Sequence, residues 1–264
     1  MSILPSAFLI DLDGTMYTEA GAIAGAVETV GVLRKRGMPF RFVSNTTGRS
    51  RARVAERMRG YGFTVSPDEL ITSVVASAEV LRQMGAHRVA PFLKRAAHDD
   101  LTDFELSGGV AGPSRGKPDA VLVGDLGDEW SHGLLNEAFR YLLDGVPLVA
   151  LEKDRYWLGP TGLELDTGPY VAALEYGAGV KATVCGKPSP TFYQTALGRM
   201  GLGSNRPANG KPAMIGDDLW SDVDGAQRAG LEGWLVRTGK FRADVLEKSG
   251  VKPDRIIDSI ADLR

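Results

Sequence analysis

The 264-residue chain predicts an α/β fold, in which parallel strands are covered by helices. Three observations carry that expectation. Short apolar runs such as "FLI" at 8–10, "AVLV" at 120–123 and "AMI" at 213–215 have the length and character of buried strands. Stretches with apolar residues three and four apart, the spacing of an amphipathic helix, lie between them. The two kinds of segment alternate almost throughout, with no internal repeat and no low-complexity tract.

Taken in order, strand 7–10 is stopped by Asp11 and followed by a helix over 25–36. Strand 40–43 leads to helix 50–60, and strand 70–72 to helix 74–84. The aliphatic run 120–123 precedes helix 132–143, and 148–150 precedes helix 169–177. Strand 182–185 leads to helix 190–200, 213–215 to helix 221–229, and 233–236 to helix 241–248. Thr47 or Ser50 is expected to cap the second helix, since hydroxyls favour that position.

Composition narrows the function. At 43% hydrophobic residues the chain can bury a core, and a net charge of −2 gives no field for a polyanion, so a nucleic-acid partner is not expected. The single cysteine, Cys185, excludes an intramolecular disulfide framework and a thiolate metal cluster. His87, His98 and His132 lack metal-ligand spacing. The opening "MSILPSAFLI" has no basic flank and reads as a first strand, and no run reaches the roughly 20 apolar residues of a membrane span. A soluble cytoplasmic protein without a membrane partner is expected. Residues 86–167 carry a net charge of −6 against +4 for the remainder, which suggests an inserted second domain flanked by core segments 1–85 and 168–264.

Three strand ends gather chemistry. In "FLIDLDGT", residues two apart on an extended strand point the same way, so Asp11 and Asp13 emerge together while Leu12 faces away. Gly14 then permits a sharp exit. Ligand sites of open α/β sheets lie at such carboxyl ends. "FRFVSNTTGRS" delivers the neutral donors Ser44, Asn45, Thr46 and Thr47, which suit an oxyanion. "AMIGDDLWSD" supplies Asp217, Asp218 and Asp222, and carboxylates gathered in one place require a cation or a proton. Hard oxygen donors of this kind suit Mg²⁺. One of Asp217 and Asp218 is also expected to cap the following helix.

The tripeptide "GKP" occurs three times, with Lys117, Lys187 and Lys211 at its centre. Lys117 and Lys211 precede strands and fall at the opposite edge of a sheet. Lys187 follows a strand and opens a helix, which places its ammonium with the carboxylates. "GPSRGKPD" is not a nucleotide-binding P-loop, because its glycine spacing is one residue short and Pro118 stands where Ser or Thr is required.

With these loops in hand, the chain resembles the haloacid dehalogenase superfamily of phosphohydrolases. "DLDGT", Ser44, Lys187 and "GDDLWSD" stand where its four motifs would, in order. Only about 30 residues separate Asp13 from Ser44, too few for a cap domain, whereas the long gap before Lys187 can hold one. That arrangement is most similar to subclass IIA, the NagD-type phosphatases. "LLDGVPLVALEKDRYW", "GPYVAALEYGAGVKATVCGKPSPTF" and "VRTGKFR" look like a branch that contains the haloacid dehalogenase-like hydrolase domain-containing proteins and the phospholysine phosphohistidine inorganic pyrophosphate phosphatase.

The resemblance implies a Rossmann-like three-layer core with an inserted α/β cap of the C2 type over 86–167. It implies that Asp11 is a nucleophile, Asp13 the acid and base, and Lys187 a catalytic cation. Leu12, Ser44, Asn45 and Lys187 would bind the phosphate; Mg²⁺ would be held by Asp11, the Asp13 carbonyl and Asp217, with Asp218 and Asp222 behind them. Arg155, Tyr156 and Trp157 are the candidates for cap specificity, with the competing expectation that both aromatics are cap core. A small phosphorylated molecule is the implied substrate, pyrophosphate or a phosphoamidate is the alternative, and a homodimer is the implied self-partner. The absence of a catalytic role, with the fold retained for phosphate binding, is the contrasting reading.

Overall fold

The computed structural model describes residues 5–159, 162–202 and 210–264, with the side chains of 158 and 159 left aside. Pro160 and Thr161, within the stretch read as a specificity loop, lie outside the described residues. The fold is α/β with parallel sheets, and it divides into two compact units. One comprises residues 1–44, 51–71 and 187–264, and the other residues 45–50 and 72–186. Among the described residues, no helix is long and apolar enough to cross a membrane.

The first unit is built on a six-stranded sheet, in the spatial order Arg255–Ile257, Glu232–Val236, Ala213–Gly216, Phe8–Asp11, Phe40–Ser44 and Leu70–Thr72. Phe8–Asp11 sits inside, paired in parallel with Ala213–Gly216 on one side and Phe40–Ser44 on the other. Every residue of Phe8–Asp11 is buried, as expected of a parallel strand covered on both faces. Phe8, Ile10, Phe42 and Ile215 form one core with Val30 and Leu33 of helix Ala26–Lys35 and Val54 and Met58 of helix Arg51–Gly60. The sheet order brings three sequence-distant strand ends side by side.

The second unit has a five-stranded sheet, ordered Thr183–Val184, Leu148–Ala150, Ala120–Val123, Arg88–Phe92 and Glu105–Leu106. Its core joins Phe92, Val121, Val123 and Leu148 to Ala138 and Leu142 of helix His132–Leu143 and Val171 and Leu174 of helix Thr167–Ala178. The strand Arg88–Phe92, near the middle of this sheet, escapes the sequence pattern because Pro91 argues against a paired strand. The neighbour Glu105–Leu106 pairs only with Arg88 and Val89, so on that side Pro91 stands where no ladder bond is required. A hairpin of Tyr156–Gly159 and Gly162–Leu165 was also not foreseen.

Two further expectations change. The segment expected as helix 221–229 begins as a wide π-type turn over Leu219–Asp224 and becomes α-helical only at Gly225–Arg228. Neither hydroxyl expected to cap Arg51–Gly60 does so: Thr47 accepts the Asp125 N–H at 3.3 Å, and the Ser50 hydroxyl is buried without a hydrogen-bond partner among the described residues.

Candidate active site

The site residues of the first unit stand at the carboxyl end of its sheet, for a reason built into the strands. Asp11 is the last residue of Phe8–Asp11, is 6% exposed, and pairs in register with Val43, one residue before Ser44. Ser44, which ends the adjoining strand, is buried. Leu12 turns into the core, fully buried, whereas Asp13 is exposed. Asp11 still belongs to the strand and is dry, whereas Asp13 lies two residues past its end, in the turn, and is wet.

Gly14 closes the turn with φ of 83°. A Cβ there would fall 2.1 Å from a carboxylate oxygen of Asp217, so this position needs glycine for its backbone and for the approach of that side chain. Gly239, with φ of 59°, meets the same oxygen from the other side, where a Cβ would fall at 2.0 Å. Thr238 donates its hydroxyl to the Gly14 carbonyl at 2.6 Å, and the Lys240 N–H donates to Asp217 at 2.7 Å. The loop 238–240 therefore fixes the Asp217 carboxylate. It was missed as a site element, although "VRTGK" follows directly on strand Glu232–Val236, and position at a strand's carboxyl end is the signal that finds it.

Lys187 is buried and bridges two acids, with Nζ 2.5 Å from Asp11 and 2.6 Å from Asp222. Burial opposes its charge, but Asp11 and Asp222 outweigh it and hold the ammonium well above its ordinary pKa. Of the other "GKP" lysines, Lys117 donates to the Asp144 carbonyl in the second unit, and Lys211 precedes strand Ala213–Gly216, its carbonyl accepting the Ser6 N–H. Asp218 takes the capping role, accepting the Trp220 and Ser221 N–H groups at 3.0 Å each. Burial opposes its charge, yet Lys240 at 2.9 Å and those N–H groups hold its carboxyl down at about 2.

Asp11, Asp217 and Asp222 each bring a carboxylate oxygen within 4.8 Å of the others. The third side chain of this cluster is that of Asp222, expected only behind the metal, and not that of Asp13, whose expected contribution was its carbonyl. Burial raises all three: Asp11 to about 6 against the pull of Lys187, Asp217 to about 6 with help from the Asp222 charge, and Asp222 to about 7 against Lys187. Three carboxylates and one ammonium sum to two negative charges, the deficit a divalent cation would fill with hard oxygen donors. The donor set fits such an ion. Tyr193, another residue not singled out, is fully buried and donates its hydroxyl to the Ser221 carbonyl, which ties down the turn that presents Asp222.

Trp220 is 51% exposed and lines a hollow of about 140 Å³ with Asp217, Asp218, Lys240 and Phe241. In the second unit, Asn45 is half-buried and accepts the Ser73 hydroxyl at 3.4 Å. Arg155, Tyr156 and Trp157 are all exposed, so the two aromatics are not core of that unit. Arg155 and Tyr156 line a hollow of about 380 Å³ with Lys153, Leu165, Pro169 and Ala172.

Residues 8–107 match the family model described as haloacid dehalogenase-like hydrolase, and residues 184–263 match a second model described as HAD-hydrolase-like. The chain is 40% identical over 247 residues to the haloacid dehalogenase-like hydrolase domain-containing protein 2 of Bos taurus, covering 94% of this chain and 90% of that one. It is 36% identical over 261 residues to the human phospholysine phosphohistidine inorganic pyrophosphate phosphatase, with 96% and 91% covered. Among solved structures it is similar to the glycerol phosphate phosphatase Rv1692 of Mycobacterium tuberculosis in complex with magnesium. That likeness has a TM-score of 0.81 at 27% identity and covers 98% of this chain and 76% of that one.

Proposed function

The chain belongs to the haloacid dehalogenase-like hydrolases, of NagD-type fold and phosphatase class, and from that premise we propose a Mg²⁺-dependent phosphohydrolase acting on a small phosphorylated metabolite. The observation that carries this reading is the buried Asp11 carboxylate, paired with Lys187 at a strand end and clustered with Asp217 and Asp222. Asp11 attacks phosphorus in line; its new O–P bond forms as the bond to the leaving oxygen breaks, which leaves an aspartyl-phosphate. Asp13, exposed where Asp11 is dry, gives a proton to that leaving oxygen. It then takes a proton from the water that attacks the aspartyl-phosphate, and inorganic phosphate leaves as Asp11 is restored. Burial by itself favours a proton on Asp11, so the Lys187 ammonium at 2.5 Å is what keeps the nucleophile ionised.

Lys187, Ser44, Asn45 and the backbone at Leu12 bind the transferring oxygens, where charge spreads in the transition state. Asp11, the Asp13 carbonyl and Asp217 would hold Mg²⁺, with Asp222 as a further carboxylate and Asp218 behind. When bound, the ion supplies positive charge that lets an anionic nucleophile meet an anionic phosphate. We assign residues 86–167 to a cap between core segments 1–85 and 168–264, with Arg155, Tyr156 and Trp157 as its specificity-determining surface. A cytoplasmic location and a homodimer belong to the same reading. The 36% identity to a phospholysine phosphohistidine inorganic pyrophosphate phosphatase favours pyrophosphate or a phosphoamidate as the second substrate class.

The test is inorganic phosphate release from a panel of phosphorylated metabolites, pyrophosphate and a phosphoamidate, with Mg²⁺ and with chelator. Turnover should require the ion and should fall on the order of 10³-fold or more in Asp11→Asn. Undiminished turnover in that variant would falsify the nucleophile. Release by neither protein from any substrate would favour a phosphate-binding module.

A further inference from the structure

A second group of carboxylates lies wholly within the second unit. Glu152, Asp154 and Asp166 each place a carboxylate oxygen within 4.8 Å of the other two. The hairpin that follows strand Leu148–Ala150 assembles them. Tyr156 pairs with Leu165, and the Asp166 N–H donates to the Arg155 carbonyl at 3.3 Å, so the chain just before the hairpin meets the chain just after it. Asp166 also caps helix Thr167–Ala178, accepting the Thr167 N–H at 2.8 Å.

Burial is graded across the three, with Glu152 only 2% exposed, Asp166 half-buried and Asp154 exposed. Glu152 Oε2 accepts the Asp154 N–H. Its Oε1 is buried without a hydrogen-bond partner among the described residues. An acceptor left in that state is destabilising, and more so when it is charged. Burial, and next the Asp166 charge, push the Glu152 carboxyl up to about 9. Among the described residues no lysine or arginine pairs with Glu152 or Asp166; neighbouring Lys153 turns instead to Glu175, at 2.6 Å. The helix N-terminus that Asp166 caps contributes roughly half a positive charge, less than the charge of one carboxylate.

We propose that Glu152, Asp154 and Asp166 form a divalent-cation site of the calcium class, sharing no residue with the Asp11, Asp217 and Asp222 cluster. Calcium takes about six to eight oxygen ligands at about 2.3–2.6 Å in adaptable geometry. Three carboxylates gathered on a loop and a helix cap, with one oxygen unpartnered, match that demand better than the strict octahedron of magnesium.

Calcium binding to the full chain, measured by titration calorimetry, tests the site. An Asp217→Asn chain disables the first cluster as a reporter and should still bind one Ca²⁺. Adding Glu152→Gln or Asp166→Asn should weaken that binding at least about tenfold. Calcium should also raise the melting temperature of Asp217→Asn but not of Asp217→Asn with Glu152→Gln. Glu152→Gln places an amide donor where repulsion stood, so in chelator it should melt no lower than its parent, which separates a lost ligand from a lost fold. In the chain without Asp217→Asn, Glu152→Gln should lower the number of bound calcium ions by one. No calcium binding by Asp217→Asn, or binding that survives both added substitutions, overturns the proposal.

Discussion

Lys187 stands between Asp11 and Asp222 in the first unit, whereas among the described residues no lysine pairs with Glu152 or Asp166 in the second. Both groups bury carboxylates, and burial raises Asp11 and Asp222 in the first and Glu152 in the second. They differ in where the compensating charge originates. The first group carries part of it covalently, at the end of a side chain held 2.5 Å from one acid and 2.6 Å from another. Among the described residues the second leaves one carboxylate oxygen of Glu152 unmet, a position that a proton or a cation from solution can fill. A buried acidic cluster therefore shows its ligand through what its neighbours fail to supply, more than through the number of its acids.

Replacing the covalent cation breaks the comparison most severely. Lys187→Met strips the first cluster of its ammonium and leaves three buried acids behind. It should lose about 3–5 kcal/mol of stability, the scale of an uncompensated buried charge, read as a lower urea midpoint at pH 7.5. An unchanged midpoint would mean that protons already neutralise Asp11 and Asp222.

Cys185 offers a reporter two residues before Lys187. Its thiol is fully buried, and burial pushes it up to about 12, so roughly one molecule in 10⁴ carries the thiolate at pH 8. The native chain should resist thiol reagents, and Lys187→Met should label faster if losing the ion pairs loosens the segment that delivers Lys187. Equal labelling rates would show that this segment is held by its own packing.

The smallest effect belongs to Lys240. Its ammonium pairs with Asp218 at 2.9 Å, but the side chain is 73% exposed, and such pairs contribute about 0–1 kcal/mol. Lys240→Met keeps the backbone N–H on Asp217 and should shift the midpoint by no more than that amount. A loss as large as that of Lys187→Met would move Lys240 into the cluster's essential charge balance.

Much of the first cluster was legible because it follows from local rules. The two-residue period of a strand sets Asp11 apart from Leu12, the glycine at 14 marks the turn, and Lys187 is the one "GKP" lysine that follows a strand and opens a helix. The wide turn at Leu219–Asp224, which carries Asp222 to Lys187, has no local signature distinct from an α-helix. Strand Arg88–Phe92 was hidden by Pro91, which is tolerated only because its neighbour is too short to reach it. The second cluster was invisible for a similar reason: Glu152 and Asp166 come together only once the intervening hairpin pairs Tyr156 with Leu165.

By itself the sequence determined the α/β class, the carboxylates at strand ends and the division of Asp11 from Leu12, because these depend on side-chain periods within a few residues. Tertiary structure alone decided that Asp222 joins Asp11 and Asp217, that Lys240 holds Asp217 through its backbone, and that Glu152 is left facing Asp166. Those relations depend on which strands lie side by side and how each connection returns. They express the balance of burying apolar faces against satisfying buried charge, and that balance is settled over the whole fold.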